Sequence, residues 1–336
     1  QMNKILTGAF VSIAGMFIAG SAIAGGHDSC GEITIAEMDW ASAELIANID
    51  KIILEEGYGC SVELIPGATM TTFASMDTKG VPDVAPELWA NAVQTPLAKA
   101  EEEGRLFMLN GAPITGAGEG WMISTKIMEE NGLKTLEDVL ARPDLFPHPE
   151  DPSKGGIVTC PSGWGCQIAT GQLFKANDME AKGWMLVESG SSAGLNGSIE
   201  KAITRNEPWF GYYWGPTVLA AQGGLSLLDM GAFAGNDNWD NCLMDPECQD
   251  PKPSGWVVSE VTSVVAANFI ENGPKAGKAY IEKRNFPSDV MMSMLVWMNE
   301  NQASGEDAAY EFLSRHPEVW TQWVTVQGAN LVKRVL

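Results

Sequence analysis

Histidine is scarce, with three in 336 residues, and basic residues are outnumbered, 21 Lys and Arg against 43 Asp and Glu, for a formal net charge of -22. So little positive charge argues against nucleic acid as a partner, because holding a phosphate backbone takes Lys and Arg. It agrees with attraction of cations and equally with plain solubility. The three histidines are His27, His148 before Pro149 and His316 before Pro317, and none has a Ser or Cys partner in pattern. Catalytic motifs are missing too. Ser162-Gly163-Trp164-Gly165 is not a nucleophile elbow, and no Walker-type or dinucleotide glycine signature occurs. There is no Cys-x2-Cys or Cys/His cluster, which removes a zinc site. After the first residues no run reaches 18 uninterrupted apolar residues, so nothing reads as a membrane span.

What is present begins with an export signal. Lys4 supplies the positive start, residues 5–18 are mostly apolar, and Ala22-Ile23-Ala24 is a small-residue cleavage site, so residues 1–24 read as a signal peptide and the mature protein as exported. Six cysteines, at 30, 60, 160, 166, 242 and 248, are an even number in an exported chain and point to disulfides. Six cysteines allow 15 pairings. The sequence-local one joins Cys30 to Cys60, Cys160 to Cys166 and Cys242 to Cys248. The acidic loop with Asp237, Asp240, Asp245, Glu247 and Asp250 could hold a structural Ca²⁺, but its spacing fails the EF-hand template, and solvated charge is the plainer reading.

The chain is long enough for two lobes. Residues 32–35 alternate as a strand, Leu45, Ile46, Ile49, Ile52 and Ile53 fall at helical spacing with Asp39 or Ser42 as N-cap, and residues 62–65 form the next strand. A strand, helix, strand unit starts an open α/β sheet. The Gly-rich stretch 111–120 reads as a crossing between lobes and residues 225–228 as the crossing back, and residues 256–265 read as a later strand. Ser198 is expected to cap a helix carrying Ile199, Ala202 and Ile203. The lobes are then 25–117 with 217–336, and 118–216.

Twelve tryptophans decide the chemistry by their placement. Trp40, Trp89, Trp164 and Trp214 each lie just past an inferred strand, where open α/β sheets put their ligands. Trp121 sits at an inferred crossing, whereas Trp297, Trp320 and Trp323 fall in helical patterns and read as core. Any one Trp alone is as readily core as pocket. A methylated ammonium cannot donate a hydrogen bond, so an aromatic box is the means of holding it, each face contributing about 1 kcal/mol and up to about 2 when desolvated. Asp39, Glu87 and Glu119 lie beside these tryptophans. A carboxylate there stabilises a cation or, protonated, donates to an N-oxide oxygen; its bland role is a helix cap or rim charge. The backbone N–H groups of Gly165, Cys166 and Gln167 at a helix start are the other candidates for an anionic end.

Met38-Asp39-Trp40-Ala41-Ser42, Pro86-Glu87-Leu88-Trp89, Glu119-Gly120-Trp121, Gly163-Trp164-Gly165, Tyr213-Trp214-Gly215-Pro216 and Trp320-Thr321-Gln322-Trp323-Val324 together resemble the OpuAC-type substrate-binding proteins of ABC importers for glycine betaine, choline and related compounds. The resemblance runs over nearly all of 30–336, and around Cys30 to Cys60 the chain resembles marine bacterial binding proteins for trimethylamine N-oxide. It implies a periplasmic, two-lobed, type II clam-shell with two crossing strands, each lobe a mostly parallel sheet flanked by helices. It also implies a non-enzymatic function: a monomer that delivers a small methylated onium ligand to permease subunits, without a cofactor. The ligand residues it implies are Trp40, Trp89, Trp121, Trp164, Trp214 and Tyr213, with Asp39, Glu87 and Glu119. Where many such proteins read Trp-x-Pro-His, this chain has Trp214-Gly215-Pro216-Thr217, so any histidine role is absent. Trimethylamine N-oxide is the first expected ligand, followed by glycine betaine, dimethylsulfoniopropionate and choline. The rivals are an exported enzyme acting on a small amine or sugar, and a carbohydrate binder with flat Trp platforms.

Overall fold

The computed structural model describes residues 30–109 and 111–336; the expected signal peptide and His27 lie outside the described residues. Alternation produces the first strand as expected: β1 (Glu32–Met38) buries Ile33, Ile35 and Met38 and leaves Glu32 exposed. The helix Ala41–Tyr58 follows, turning Leu45, Ile46, Ile49, Ile52 and Ile53 into the core. Gly59 ends it in the left-handed region at φ 70°, which glycine adopts without strain. β2 (Ser61–Gly67) then lies parallel to β1 with Glu32 opposite Ser61. That neighbouring register lets Cys30 and Cys60 form one of three disulfides; the others are Cys160–Cys166 and Cys242–Cys248, so the sequence-local pairing is the one formed.

β3 (Val84–Trp89) and β4 (Leu106–Met108) belong to the same sheet. The chain then leaves to build a second sheet from β5 (Gly118–Ser124), β6 (Gly155–Val158), β7 (Trp184–Val187), β8 (Phe210–Gly215) and β9 (Leu225–Leu227). It returns as β10 (Val261–Ala266). The first sheet has the order β2-β1-β3-β10-β4 and the second β7-β6-β8-β5-β9. Two five-stranded sheets of mixed, partly parallel strands, each flanked by helices, make the two-lobed α/β binding-protein fold. The C-terminal helices pack back on the helix Ala41–Tyr58. There Gly305 comes so close to the Glu44 carbonyl and the Asn48 amide that a Cβ would lie 2.9 and 2.7 Å from them.

Local readings differ in four places. Leu225–Leu227, expected as a crossing, is the edge strand β9, antiparallel to β5, because three residues are enough to pair but too few to show a period. The strand expected from residue 256 starts only at Val261, and residues 251–260 carry no strand. Ser191, not Ser198, caps the helix Ser192–Arg205 by accepting from the Gly194 N–H, since Ser198 lies inside it and accepts from the Trp209 indole. Neither Asp39 nor Ser42 caps Ala41–Tyr58, whose N-cap is Trp40, because both side chains bond to distant parts of the chain.

Beneath the first sheet lies a fully buried ion pair. Asp50 accepts from Arg284 Nε at 2.6 Å and Nη2 at 2.8 Å, and from the Tyr280 hydroxyl at 2.7 Å. Burial raises the Asp50 pKa, against the pull of Arg284.

Candidate functional site

Strand ends bring the aromatics together. Trp40 follows β1, Trp89 ends β3, Trp164 is the N-cap of the helix Gly165–Ala176 after β6, and Trp214 lies near the end of β8. The four meet where the two lobes face each other, lining a cavity with about 420 Å³ of space between atoms, its mouth included. Trp239, Trp256 and Tyr212 complete the ring, with Thr69, Asn91, Glu119, Gly165, Cys166 and Met244 among the other lining residues. Ring contacts link six of these seven aromatics in a chain: Trp40 to Trp164 (centroids 5.3 Å), Trp164 to Trp214 (5.0 Å), Trp214 to Tyr212 (6.4 Å), Tyr212 to Trp256 (5.5 Å) and Trp256 to Trp239 (5.3 Å).

Four of the six indole N–H groups are tied to partners around the cavity. Trp40 and Trp89 donate to the same Glu87 oxygen, Oε1, at 2.7 and 3.1 Å, and Ser42 donates to it at 3.1 Å. Trp164 donates to Asp39 Oδ1 at 2.7 Å from the opposite lobe, and Trp239 to the Asn91 carbonyl at 3.1 Å. With their edges held in this way, the rings offer their faces to a ligand. Trp256 Nε1–H is directed toward Glu119 but lies outside normal hydrogen-bond geometry.

One carboxylate lines the cavity. Glu119 accepts from the Asn91 amide at 2.6 Å across the lobes and from the Tyr212 hydroxyl at 2.6 Å. Burial raises its pKa, opposed by those donors and by the nearby Trp256. Burial beside Glu119 likewise holds the Tyr212 hydroxyl well above its usual range. Among the described residues no Lys, Arg or His lines the cavity.

The remaining expected residues sit elsewhere, for reasons of register. Trp121 shares the Glu119 face of β5 but lies two residues further in, where its indole donates to Thr170 under the helix Gly165–Ala176, fully buried and away from the cavity. Tyr213 points to the opposite face of β8 from Tyr212 and Trp214 and donates to Asn196 in a neighbouring cleft. Glu87 lies behind the box and Asp39 beside it, each holding indoles rather than lining the cavity. Gly165 and Cys166 line it, whereas the Gln167 N–H is engaged by the Trp164 carbonyl. In the acidic loop, Asp240 accepts from Thr95, Asp245 from the Glu247 N–H and Asp250 from Lys252. No three His, Cys, Asp or Glu residues converge as a metal group among the described residues.

Tyr212 was legible as the same-face neighbour of Trp214 two residues away. Trp239 opens a short helical turn, Trp239–Leu243, within what reads as a polar loop, and Trp256 comes from irregular chain; only their residue type hinted at them.

Comparison with known proteins agrees with this fold. A glycine betaine/L-proline-binding protein from Borrelia burgdorferi has a similar structure, with TM-score 0.70 at 18% identity over 90% of this chain and 99% of that one. A choline-binding protein in complex with choline gives TM-score 0.70 at 18% identity, covering 91% and 98%. Lactococcal OpuAC, closed on glycine betaine, gives 0.64 at 16%, covering 88% and 100%. No curated protein sequence matches the chain. The family model "Substrate binding domain of ABC-type glycine betaine transport system" matches residues 31–315. Its members are extracellular or periplasmic transport proteins, not enzymes, and work with ABC transporter components on small quaternary amines. The chain belongs to this family, OpuAC, the substrate-binding domains of ABC-type glycine betaine transport systems.

Proposed function

We propose that the protein captures trimethylamine N-oxide between its lobes and passes it to the permease of an ABC importer. The observation that carries the choice is the lining: six tryptophans and Tyr212 around a single carboxylate with no cationic side chain. A trimethylated nitrogen suits the ring faces. A ligand carboxylate, as in glycine betaine, would meet Glu119 without Lys or Arg to balance it, and a buried like-charge pair is costly. An N-oxide oxygen is served instead by Glu119 in its neutral form, which burial favours, with the Trp256 N–H beside it. Choline is the second reading, supported by Glu119 as an acceptor for its hydroxyl.

Calorimetry of the ligand-free mature protein tests this against trimethylamine N-oxide, choline, glycine betaine, dimethylsulfoniopropionate, carnitine and simple sugars. Trimethylamine N-oxide is expected to bind most tightly and with proton uptake, since Glu119 becomes the donor. Choline binding more tightly, without uptake, would select the second reading. Binding of sugars with no onium compound would overturn both.

A further inference from the structure

Glu87 is fully buried, does not line the cavity, and draws three donors onto one oxygen while its other oxygen, Oε2, has no partner. Two of those donors are the indoles of Trp40, which follows β1, and Trp89, which ends β3, both walls of the box. We propose that Glu87 is a positioning residue whose ionisation is coupled to capture: as the carboxylate it fixes both rings and adds negative charge behind them, so a bound onium group drives a proton off Glu87. The inference rests on the proposed onium ligand but not on which onium compound it is.

The geometry gives each ionisation state a different box. Ionised, Oε1 is a strong acceptor and the two N–H bonds are charge-assisted, which holds the rings more firmly. Electron density pushed into the indoles also deepens the negative potential on their faces, where the cation rests. Neutral, Glu87 accepts more weakly, and its proton on Oε2 has no acceptor among the described residues. Neither state is strongly preferred in the empty site. Burial pushes the group up to about 7, with the three donors and Arg284 pulling the other way.

The charged groups around it are few. From the segment after the helix Lys275–Lys283, Arg284 is the one cation whose field reaches Glu87, and most of its charge is balanced by Asp50 from the helix Ala41–Tyr58. Arg284 also donates to Ser263 of β10, whose hydroxyl donates to the Pro86 carbonyl next to Glu87. Just past β1 the carboxylate of the site is Asp39, engaged by Trp164; from the second lobe it is Glu119, engaged by Asn91 and Tyr212. A bound cation therefore adds positive charge on the cavity side of Glu87, where no Lys, Arg or His stands among the described residues.

The test counts protons. Calorimetric titration of wild type and Glu87→Gln with trimethylamine N-oxide and with choline, in phosphate and in Tris at pH 7, gives the protons exchanged on binding from the dependence of heat on buffer. The substituted side-chain amide keeps a carbonyl acceptor for both indoles and mimics the neutral acid, so the variant is expected to fold. For each ligand, wild type should release more protons, or take up fewer, than Glu87→Gln, by up to about half a proton, because a group titrating near neutrality is half ionised there. The ratio of wild-type to variant affinity should also rise up to about tenfold from pH 6 to pH 8. Equal proton counts with a flat affinity ratio would overturn the coupling and leave the binding function standing. Absence of binding by every onium compound would instead overturn the function on which it rests. Should Glu87→Gln not fold, Glu119→Gln supplies the measurement, since net proton release on choline binding must persist there and its absence refutes the coupling.

Discussion

Trp164 takes part in two kinds of contact, and the structure separates their energies. Its edge contact with Trp40 (5.3 Å, 74°) and its N–H bond to Asp39 span the lobes and exist only when these are together. Its contact with Trp214 (5.0 Å, 82°) lies within one lobe and survives opening. Ligand affinity feels only the first kind plus the ring face offered to the ligand. An aromatic pair is worth about 1 kcal/mol, a hydrogen bond to a charged acceptor about 1.5 kcal/mol and a cation–π face about 1 kcal/mol. Trp164→Ala should therefore lose about 3.5 kcal/mol of binding, roughly 300-fold in Kd. Trp164→Phe keeps a ring against Trp40 and the ligand but drops the N–H, and should lose about 1.5 kcal/mol, close to tenfold. Calorimetry with trimethylamine N-oxide measures both, and thermal unfolding of the ligand-free proteins checks that the fold persists. Affinity of Trp164→Ala within threefold of wild type would refute the reasoning. Equal losses for the two variants would show that the ring itself does nothing.

Three further outcomes are expected. A Cβ on Gly165 would lie 2.4 Å from the Ala92 Cβ on the other lobe, so Gly165→Ala should wedge the lobes apart. The overpacking cost of about 1–3 kcal/mol should appear as weaker binding with unchanged ligand-free melting, and unaltered affinity would sink the idea. Glu87 titrates in the fold at about 7, above its ordinary 4.5, so its favourable share of stability is complete below the ordinary value and is lost as pH rises through 7. Glu87→Gln, which cannot ionise, should accordingly gain about 2.5 kcal/mol on ligand-free wild type between pH 5 and pH 8 in urea unfolding; a constant difference contradicts this. Arg284→Met strands Asp50 without its partner at a cost of about 3–5 kcal/mol, and adding Asp50→Leu should recover much of it. A double variant no more stable than the single would show that the pair itself is not what Arg284 supplies.

Much of this molecule was legible in its sequence, and the parts that were not share a physical cause. Helical spacing of Ile46, Ile49 and Ile53, alternation in β1 and tryptophans past strand ends are local patterns, and local patterns fixed the sheets and four walls of the box. Trp121 escaped because whether a strand residue reaches the cavity depends on where a helix from elsewhere covers the sheet, here through Thr170. Asp39 and Ser42 look like helix caps within their own turn, yet their partners Trp164 and Glu87 lie 125 and 45 residues away. Trp239 and Trp256 arrive on stretches too short to show a period, one at the start of the helical turn Trp239–Leu243 and one in the irregular segment before β10. Glu87 was expected at the ligand; only the geometry reveals that the tryptophans stand between them.

The six tryptophans around the cavity, half of the twelve in the chain, give the protein a built-in optical signal. Indole emission moves to shorter wavelength when water is expelled and dims beside a disulfide. Trp164 sits inside the loop closed by Cys160 and Cys166. Five of the other six, such as Trp184 in β7 and Trp320 among the C-terminal helices, are buried in the lobes and supply a steady background. Closing on a ligand therefore changes colour and brightness from one place in the molecule, so capture can be followed in real time without any added dye.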